Sequence, residues 1–233
     1  MKNQYFGDVN DYLKYSFLRA ITVNLRETLL LCWMLTPPDE KSDGNLTQYL
    51  AQPDRFRAMD PQLFDVLESA VMGRERTVEI MPRSGLLPGA SYHFTILDDA
   101  IDARAAYFTA LWASAPDHNI IFFDPDNGLA PASVVRGRRN SSKYLFWDEF
   151  SEATERGLST IVYQHFPRVA REEFLTTMLE RMRAVSSSTS VSALYSPRVA
   201  YLVAATQEHA TGVAQAMTTL QDAWGDRLRR IAS

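Results

Sequence analysis

The chain places two acids, an amide and a glycine directly after a fully apolar run, in Ile120-Ile121-Phe122-Phe123-Asp124-Pro125-Asp126-Asn127-Gly128. Four successive apolar residues predict a strand buried on both faces, and ligands of open α/β sheets bind just past the carboxyl ends of such strands. Asp124 can accept a proton or orient an amine. Pro125 has no N–H, so it cannot fold back to donate a hydrogen bond, and its carbonyl can serve as an acceptor. Asp126 and Asn127 add oxygens on the same loop. The five residues from Asp124 also suit a plain turn, but a turn needs neither two acids nor a buried strand end. A calcium loop is a poorer match, because the third regularly spaced ligand and the distal glutamate are missing.

Three other groups carry chemistry. Tyr163-Gln164-His165 ends another predicted strand, and a histidine titrating near ~6.5 suits proton transfer, although a backbone-satisfied histidine also fits. Asp148-Glu149 could join Asp124 and Asp126 in holding Mg²⁺ or Mn²⁺ through Asp124, Asp126 and Glu149, with His165 as base or ligand. That arrangement would make a metal-dependent nuclease or phosphoesterase, while the helix dipole alone also favours acids in a first turn. The opening segment Phe6-Gly7-Asp8-Val9-Asn10-Asp11-Tyr12-Leu13-Lys14 reads as a helix capped by Asp8. Asp11 and Lys14 stand one turn apart, a pairing worth ~0.2–0.5 kcal/mol at a surface. Lys14, Arg136, Arg138, Arg139 and Lys143 are candidate phosphate contacts. His93, His118 and His209 lie in a strand, before a strand and on a helix surface, without metal-ligand spacing.

The positioning elements follow from periodicity. Residues 8–26 carry apolar positions at helical spacing, and 28–35 is an almost unbroken apolar run that predicts a central strand ending in the loop 36–44. Short helices are predicted at 46–51 and 61–72, a strand at 91–97, a helix at 102–114 and a strand at 119–124. A short edge strand is predicted at 143–147, then a helix at 148–156, a strand at 159–165 and a helix at 169–185. The runs 191–195 and 199–205, split by Ser196-Pro197-Arg198, are close enough for a hairpin, and a helix follows from 207 to about 223. The expected architecture is one α/β domain over 1–233, with a doubly wound, mostly parallel sheet and a C-terminal antiparallel hairpin. That layout is similar to the class I methyltransferase fold.

The totals fit one such domain. The 233 residues are 46% hydrophobic and 22% charged with a formal net charge of -4, which is ordinary globular composition. Mild acidity argues against a generic nucleic-acid coat but permits local basic patches. Cys32 is the only cysteine, so internal disulfides and thiolate clusters are excluded, and its apolar strand suggests inert core. The start lacks an apolar signal core and no apolar run approaches ~18 residues, so a cytoplasmic protein without membrane partners is expected. There is no Gly-x-x-x-x-Gly-Lys loop and no Gly-x-Ser-x-Gly turn, which removes two common nucleotide and hydrolase signatures.

The segment from Phe6 to Lys14, with Gly7, Asp8, Asp11 and Lys14 at matching spacing, resembles the opening of a bacterial ribosomal-RNA adenine-N6 methyltransferase family. Asp124-Pro125-Asp126-Asn127 stands where that family has its catalytic Asp-Pro-Pro-Tyr. The chain is also similar to a group of bacterial proteins with a Tyr-Phe-Gly-Asp start, an Asp-Pro-Asp-Asn-Gly centre and a Tyr-Gln-His segment, for which the resemblance supplies no activity. The methyltransferase resemblance implies S-adenosylmethionine as cofactor and RNA or DNA as partner. It implies a catalytic set of Asp124, Pro125, Asp126, Asn127, Tyr163 and His165. Thr36, Asp43, Gly44, Asp98, Gly7 and Lys14 would surround the cofactor, with Asp98 or Asp99 accepting a ribose hydroxyl. Phe6, Asp8, Asp11, Arg138, Lys143 and Gln164 would meet the substrate, and Phe6, Tyr163 or Trp147 would stack on a base taken out of its helix. Two departures bear on this. Thr36-Pro37-Pro38-Asp39-Glu40 replaces a glycine-rich cofactor turn, and Asn127 replaces the stacking aromatic. A non-catalytic nucleotide or RNA sensor is the third expectation.

Overall fold

The apolar runs form strands that are buried on both faces, and the amphipathic segments form helices that cover them. A computed structural model describes residues 1–37, 44–188 and 190–232. Its helices are α1 (Val9–Leu25), α2 (Pro53–Phe56), α3 (Pro61–Met72), α4 (Ile80–Ser84), α5 (Ile101–Ser114), α6 (Trp147–Glu155), α7 (Arg171–Val185) and α8 (Ala210–Trp224). Its strands are β1 (Leu29–Cys32), β2 (Ala90–His93), β3 (Ile120–Phe123), β4 (Gly128–Leu129), β5 (Tyr144–Leu145), β6 (Ser159–His165), β7 (Ser190–Tyr195), β8 (Val199–Ala205) and β9 (Arg229–Ala232).

The main sheet runs β2-β1-β3-β6-β8-β7-β9. The first four strands are parallel, β8 is antiparallel to β6 and to β7, and β9 is antiparallel to β7. The expected hairpin is therefore present, and its second strand is the one inserted beside β6. Because side chains alternate across a strand, the sheet separates two cores. Leu29, Leu31, Ile120, Phe122, Ile161 and Tyr163 face α1, α3 and α8. Leu30, Cys32, Ile121, Phe123 and Val162 face α5, α6 and α7. Helices thus cover both sides of a mostly parallel sheet.

Several elements differ from the sequence expectation. β1 stops at Cys32, and Leu35 keeps only an isolated bridge to Ile96. Between them Met34 takes φ 46°, a left-handed conformation that costs a non-glycine residue about 1–2 kcal/mol. Residues 46–51 give a 3₁₀ turn, Gln48–Ala51. The predicted edge strand at 143–147 pairs only with β4, in a separate two-stranded sheet. β9 was not anticipated, because Arg229-Arg230-Ile231-Ala232 has the polar character of an outer edge rather than of a core strand. Cys32 is buried as expected, and burial pushes its thiol up to about 12. His209 does not lie on a helix surface; it is buried at the start of α8.

Candidate functional site

The carboxyl ends of β3 and β6 and the first turns of α1 line a cavity of about 390 Å³ beside the end of β1. β1 and β3 are neighbours, and the helices that follow them lie on opposite faces of the sheet. Their junction is the crevice where such folds bind ligands. Asp8 starts α1 beside it by accepting hydrogen bonds from the Asn10 and Asp11 amides at 2.8 and 3.0 Å. That cap aims the first turn at the strand ends, so Asp11 and Lys14 share the face toward β3.

Lys14 is the centre of the pocket. Its Nζ lies 2.6 Å from Asp11 Oδ1 and 2.7 Å from Asp124 Oδ2. Lys14 and Asp124 are 1% and 2% exposed, so this is a desolvated charge cluster rather than a surface pair. Burial would lower the Lys14 pKa, but Asp11 and Asp124 outweigh it and hold the ammonium well above its usual range. Burial pushes Asp11 up to about 7 against the pull of Lys14, with Asp8 and Asp124 adding to the rise. Burial also raises Asp8. Asp11 Oδ2 is buried without a hydrogen-bond partner. Tyr163 packs 5.7 Å from the Lys14 ammonium, and burial raises its phenol far above the usual range.

The second half of the pocket surrounds Met1. Its amino group lies 2.6 Å from Asp126 Oδ1 and donates to the Met34 and Asp124 carbonyls at 3.1 and 3.2 Å. Its carbonyl accepts the Thr36 amide at 3.0 Å, and Lys14 Nζ is 3.8 Å from its sulfur. Thr36 Oγ1 donates to Asp126 Oδ2 at 3.0 Å. Burial would raise Asp126, but the Met1 amine and the Thr36 hydroxyl outweigh it and hold the carboxyl below the usual range. The left-handed Met34 belongs to this arrangement, since its carbonyl is one of the ammonium acceptors.

The Asp124–Gly128 loop is clamped from β6. Gln164 Nε2 donates to the Asn127 and His165 carbonyls at 3.1 and 2.7 Å, and its Oε1 accepts the Leu129 amide at 2.8 Å. Gly128 has φ 114°, and a Cβ there would collide with the Gln164 side-chain amide. Glycine is required both by the backbone and by the side chain passing against it. His165 stands at the exposed rim with its ring edge toward Tyr163, 5.0 Å between centroids. The side facing the pocket is crowded, and this desolvation lowers its pKa despite Asp124 and Asp126.

The segments 6–15, 124–128 and 163–165 therefore meet. Asp8, Asp11, Lys14, Gly44, Asp124, Pro125, Asp126, Asn127, Tyr163 and His165 line the cavity, and Thr36 acts through Asp126. Other expected site residues stand elsewhere. Phe6 is fully buried against Tyr15 and cannot receive a base. Gly7 is packed against Val71 of α3, which leaves 2.7 Å for a Cβ. Gln164 is a clamp rather than a substrate contact. Asp98 accepts the Ala100 amide at 2.7 Å, and Asp99 binds the Asn140 and Ser142 amides at 2.8 and 2.7 Å; both order loops outside the cavity. Arg138 and Lys143 do not line it, and Arg136 is paired with Asp148 at 2.6 Å. Trp147 stacks under Arg181 at 4.0 Å and borders a neighbouring recess. Asp43 and Pro38 lie outside the described residues, and Pro37 is exposed.

The proposed Asp124, Asp126 and Glu149 metal centre is overturned. Glu149 is held by Arg104 at 2.6 and 2.7 Å and closes the start of α6 by accepting the Phe146 amide. Among the described residues, the three carboxylates do not converge; the His, Cys, Asp and Glu groups that do are Glu27, Glu208 and His209. The sequence reading missed Met1, Tyr5 and Arg198 in the cavity wall. Arg198 was visible only as the turn of the predicted hairpin. Its proximity depends on β8 pairing with β6, which brings Val199 opposite His165.

Two recesses adjoin the cavity. One shares Asn127 and His165 with it and is walled by Tyr144, Trp147, Phe166 and Phe174. The other shares Arg198 with it and adds Arg168 and Arg171. No helix among the described residues is long and apolar enough to cross a membrane. No protein-family model matches the chain, and no curated protein matches its sequence.

Proposed function

We propose that the protein is an S-adenosylmethionine-dependent N-methyltransferase, or a diverged relative of one, acting on nucleic acid. The observation that carries this reading is the placement of Asp124-Pro125 at the carboxyl end of the strand beside β1. The reversed β8, seated between β6 and β7, which run with the parallel set, supports the reading as a feature of the class I methyltransferase layout; β9 is a second reversed strand, at the edge. The residues present suit the cofactor's amino-acid end. Asp126 and the Met34 and Asp124 carbonyls form an ammonium site, and the Thr36 amide is a donor for a carboxylate. These groups hold Met1 in this structure, so Met1 must leave the crevice before they can hold a ligand.

When bound, S-adenosylmethionine supplies an electrophilic methyl group. Asp124 and the Pro125 carbonyl orient the target amine by accepting its N–H bonds. Lys14 fixes the Asp124 carboxylate at 2.7 Å. Asp11, with its pKa at about 7, can take up a proton near neutrality. The aromatic recess beyond His165 gives a base removed from its stack an apolar wall. The arginine recess supports nucleic acid as the substrate class.

Isothermal titration of the full chain with S-adenosylmethionine tests this. Saturable binding is expected, and Asp126→Asn should weaken it at least tenfold, since it removes a charge-assisted bond worth about 1.5–3 kcal/mol. Absence of binding by the unaltered chain up to millimolar ligand would overturn the methyltransferase reading. Retained binding to single-stranded RNA in that case would favour a non-catalytic binder, a reading that the arginine recess supports independently.

A further inference from the structure

At the opposite end of the sheet, His209 begins α8 and is 4% exposed. Its Nδ1 is held by Ser159 Oγ at 2.8 Å and Thr206 Oγ1 at 3.2 Å. Ser159 Oγ is itself fixed by the Thr206 amide at 3.0 Å. The other ring nitrogen, Nε2, is buried with no hydrogen-bond partner and points at Glu27, whose Oε1 is 3.9 Å away. Glu27 Oε2 accepts a hydrogen bond from Asn119, which leaves Oε1 turned to the imidazole. Glu208, exposed on the solvent side, completes a group whose three ligand atoms all lie within 4.8 Å of one another.

We propose that Glu27, Glu208 and His209 bind a divalent transition-metal ion, with Zn²⁺ the species that this donor set suits best. One imidazole and two carboxylates match zinc chemistry, and ligand atoms around a tetrahedral ion stand about 3.4 Å apart at ordinary bond lengths. The 3.9 Å gap between Nε2 and Oε1 therefore needs only a small closure. A cation there satisfies the orphaned nitrogen and neutralises the Glu27 and Glu208 carboxylates. Ser159 and Thr206 orient the ring through its far nitrogen, as the supporting partners of metal-bound histidines do. Three protein ligands leave a position for water. The site joins the α1–β1 connection to the β8–α8 turn, at the amino end of β6 and away from the Lys14 pocket. Its role is to clamp these connections, and the assignment is independent of the proposed methyltransferase chemistry.

The test is calorimetric titration of the chelator-stripped full chain with ZnCl₂, together with thermal unfolding with and without the ion. One ion per chain and a higher unfolding midpoint with zinc are expected. Glu208→Gln changes an exposed side chain and should weaken binding at least tenfold with an unchanged far-UV spectrum. His209→Ala should abolish it, and Asp54→Asn, on remote α2, should leave it intact. No saturable zinc binding by the unaltered chain overturns the site. So does equal affinity in Glu208→Gln, which decides the matter even if His209→Ala fails to fold.

Discussion

Burial in the pocket resists a charge on Asp11. Its folded pKa of about 7 stands above the ordinary aspartate value of 3.8, so the folded chain binds the proton more tightly than the unfolded one. By linkage, the stability from this group is fully present below about 3.8 and is lost as pH rises through about 7. Removing the titration should remove that slope. Urea midpoints of the unaltered chain are expected to fall relative to those of Asp11→Asn between pH 4 and 7, and to run parallel above pH 8. A gap that stays constant or changes in the opposite sense would reject the assignment. His165 and Asp126 have lowered pKa values and oppose the trend in both proteins, so the comparison cancels them. Lys14→Met leaves two buried carboxylates without their cation and should cost about 3–5 kcal/mol in urea unfolding. At this scale the sequence was informative about residue types and weak about partners. Asp124, Lys14 and His165 could be picked out from their places at element ends. The binding of Glu149 by Arg104, 45 positions away, could not, because a helix-start acid looks the same whether or not an arginine reaches it.

Among the elements, the loop between β3 and β4 is the one whose shape sets the site, and it depends on the fit of Gly128 to Gln164. Gly128→Ala forces a side chain onto φ 114° and against Gln164; strain of this kind costs about 1–3 kcal/mol before any clash. Gln164→Ala alone orphans the Leu129 amide, at about 1–3 kcal/mol. Together the two changes should cost less than the sum of the singles, because the alanine side chain at 164 vacates the space that the new Cβ needs. Urea denaturation of both singles and the double measures the coupling; strict additivity would show that Gln164 is not what excludes a side chain at Gly128. The elements themselves were largely legible. Apolar runs identified β1, β3, β7 and β8, the strand expected at 159–165 is β6, and Asp8 marked the start of α1. The sequence did not reveal β9, whose arginines suit an edge, or the early end of β1, where Met34 turns left-handed against its own preference. Both depend on neighbours rather than on local pattern. The hairpin was read correctly as a pair, but which of its strands joins β6 is a property of the sheet. That choice alone brings Arg198 to the pocket.

For the whole molecule, a net charge of -4 would repel a polyanion were the charges evenly spread. They are not. Arg168, Arg171 and Arg198 line one recess that opens onto the candidate site, and among the described residues none of the three forms a salt bridge. Arg171 is instead braced over the Phe166 ring at 5.6 Å. Arg57, Arg83, Arg104 and Arg136, by contrast, are spent on carboxylates. If the recess tracks a nucleic-acid backbone, its arginines displace condensed counterions, and the salt dependence of binding counts them. Each phosphate contact on a single strand contributes about 0.7 to the slope of log affinity against log salt. The double variant Arg171→Ala, Arg198→Ala should therefore bind single-stranded RNA with a slope shallower by about 1.4. Arg83→Ala, whose guanidinium is paired with Glu75 and Glu79 on α4, should leave the slope unchanged. Fluorescence anisotropy across a range of salt concentrations reads both. A double variant with the unaltered slope would move the polyanion off this face, and with it the argument that the acidic pocket next to Arg198 receives a base from a nucleic acid.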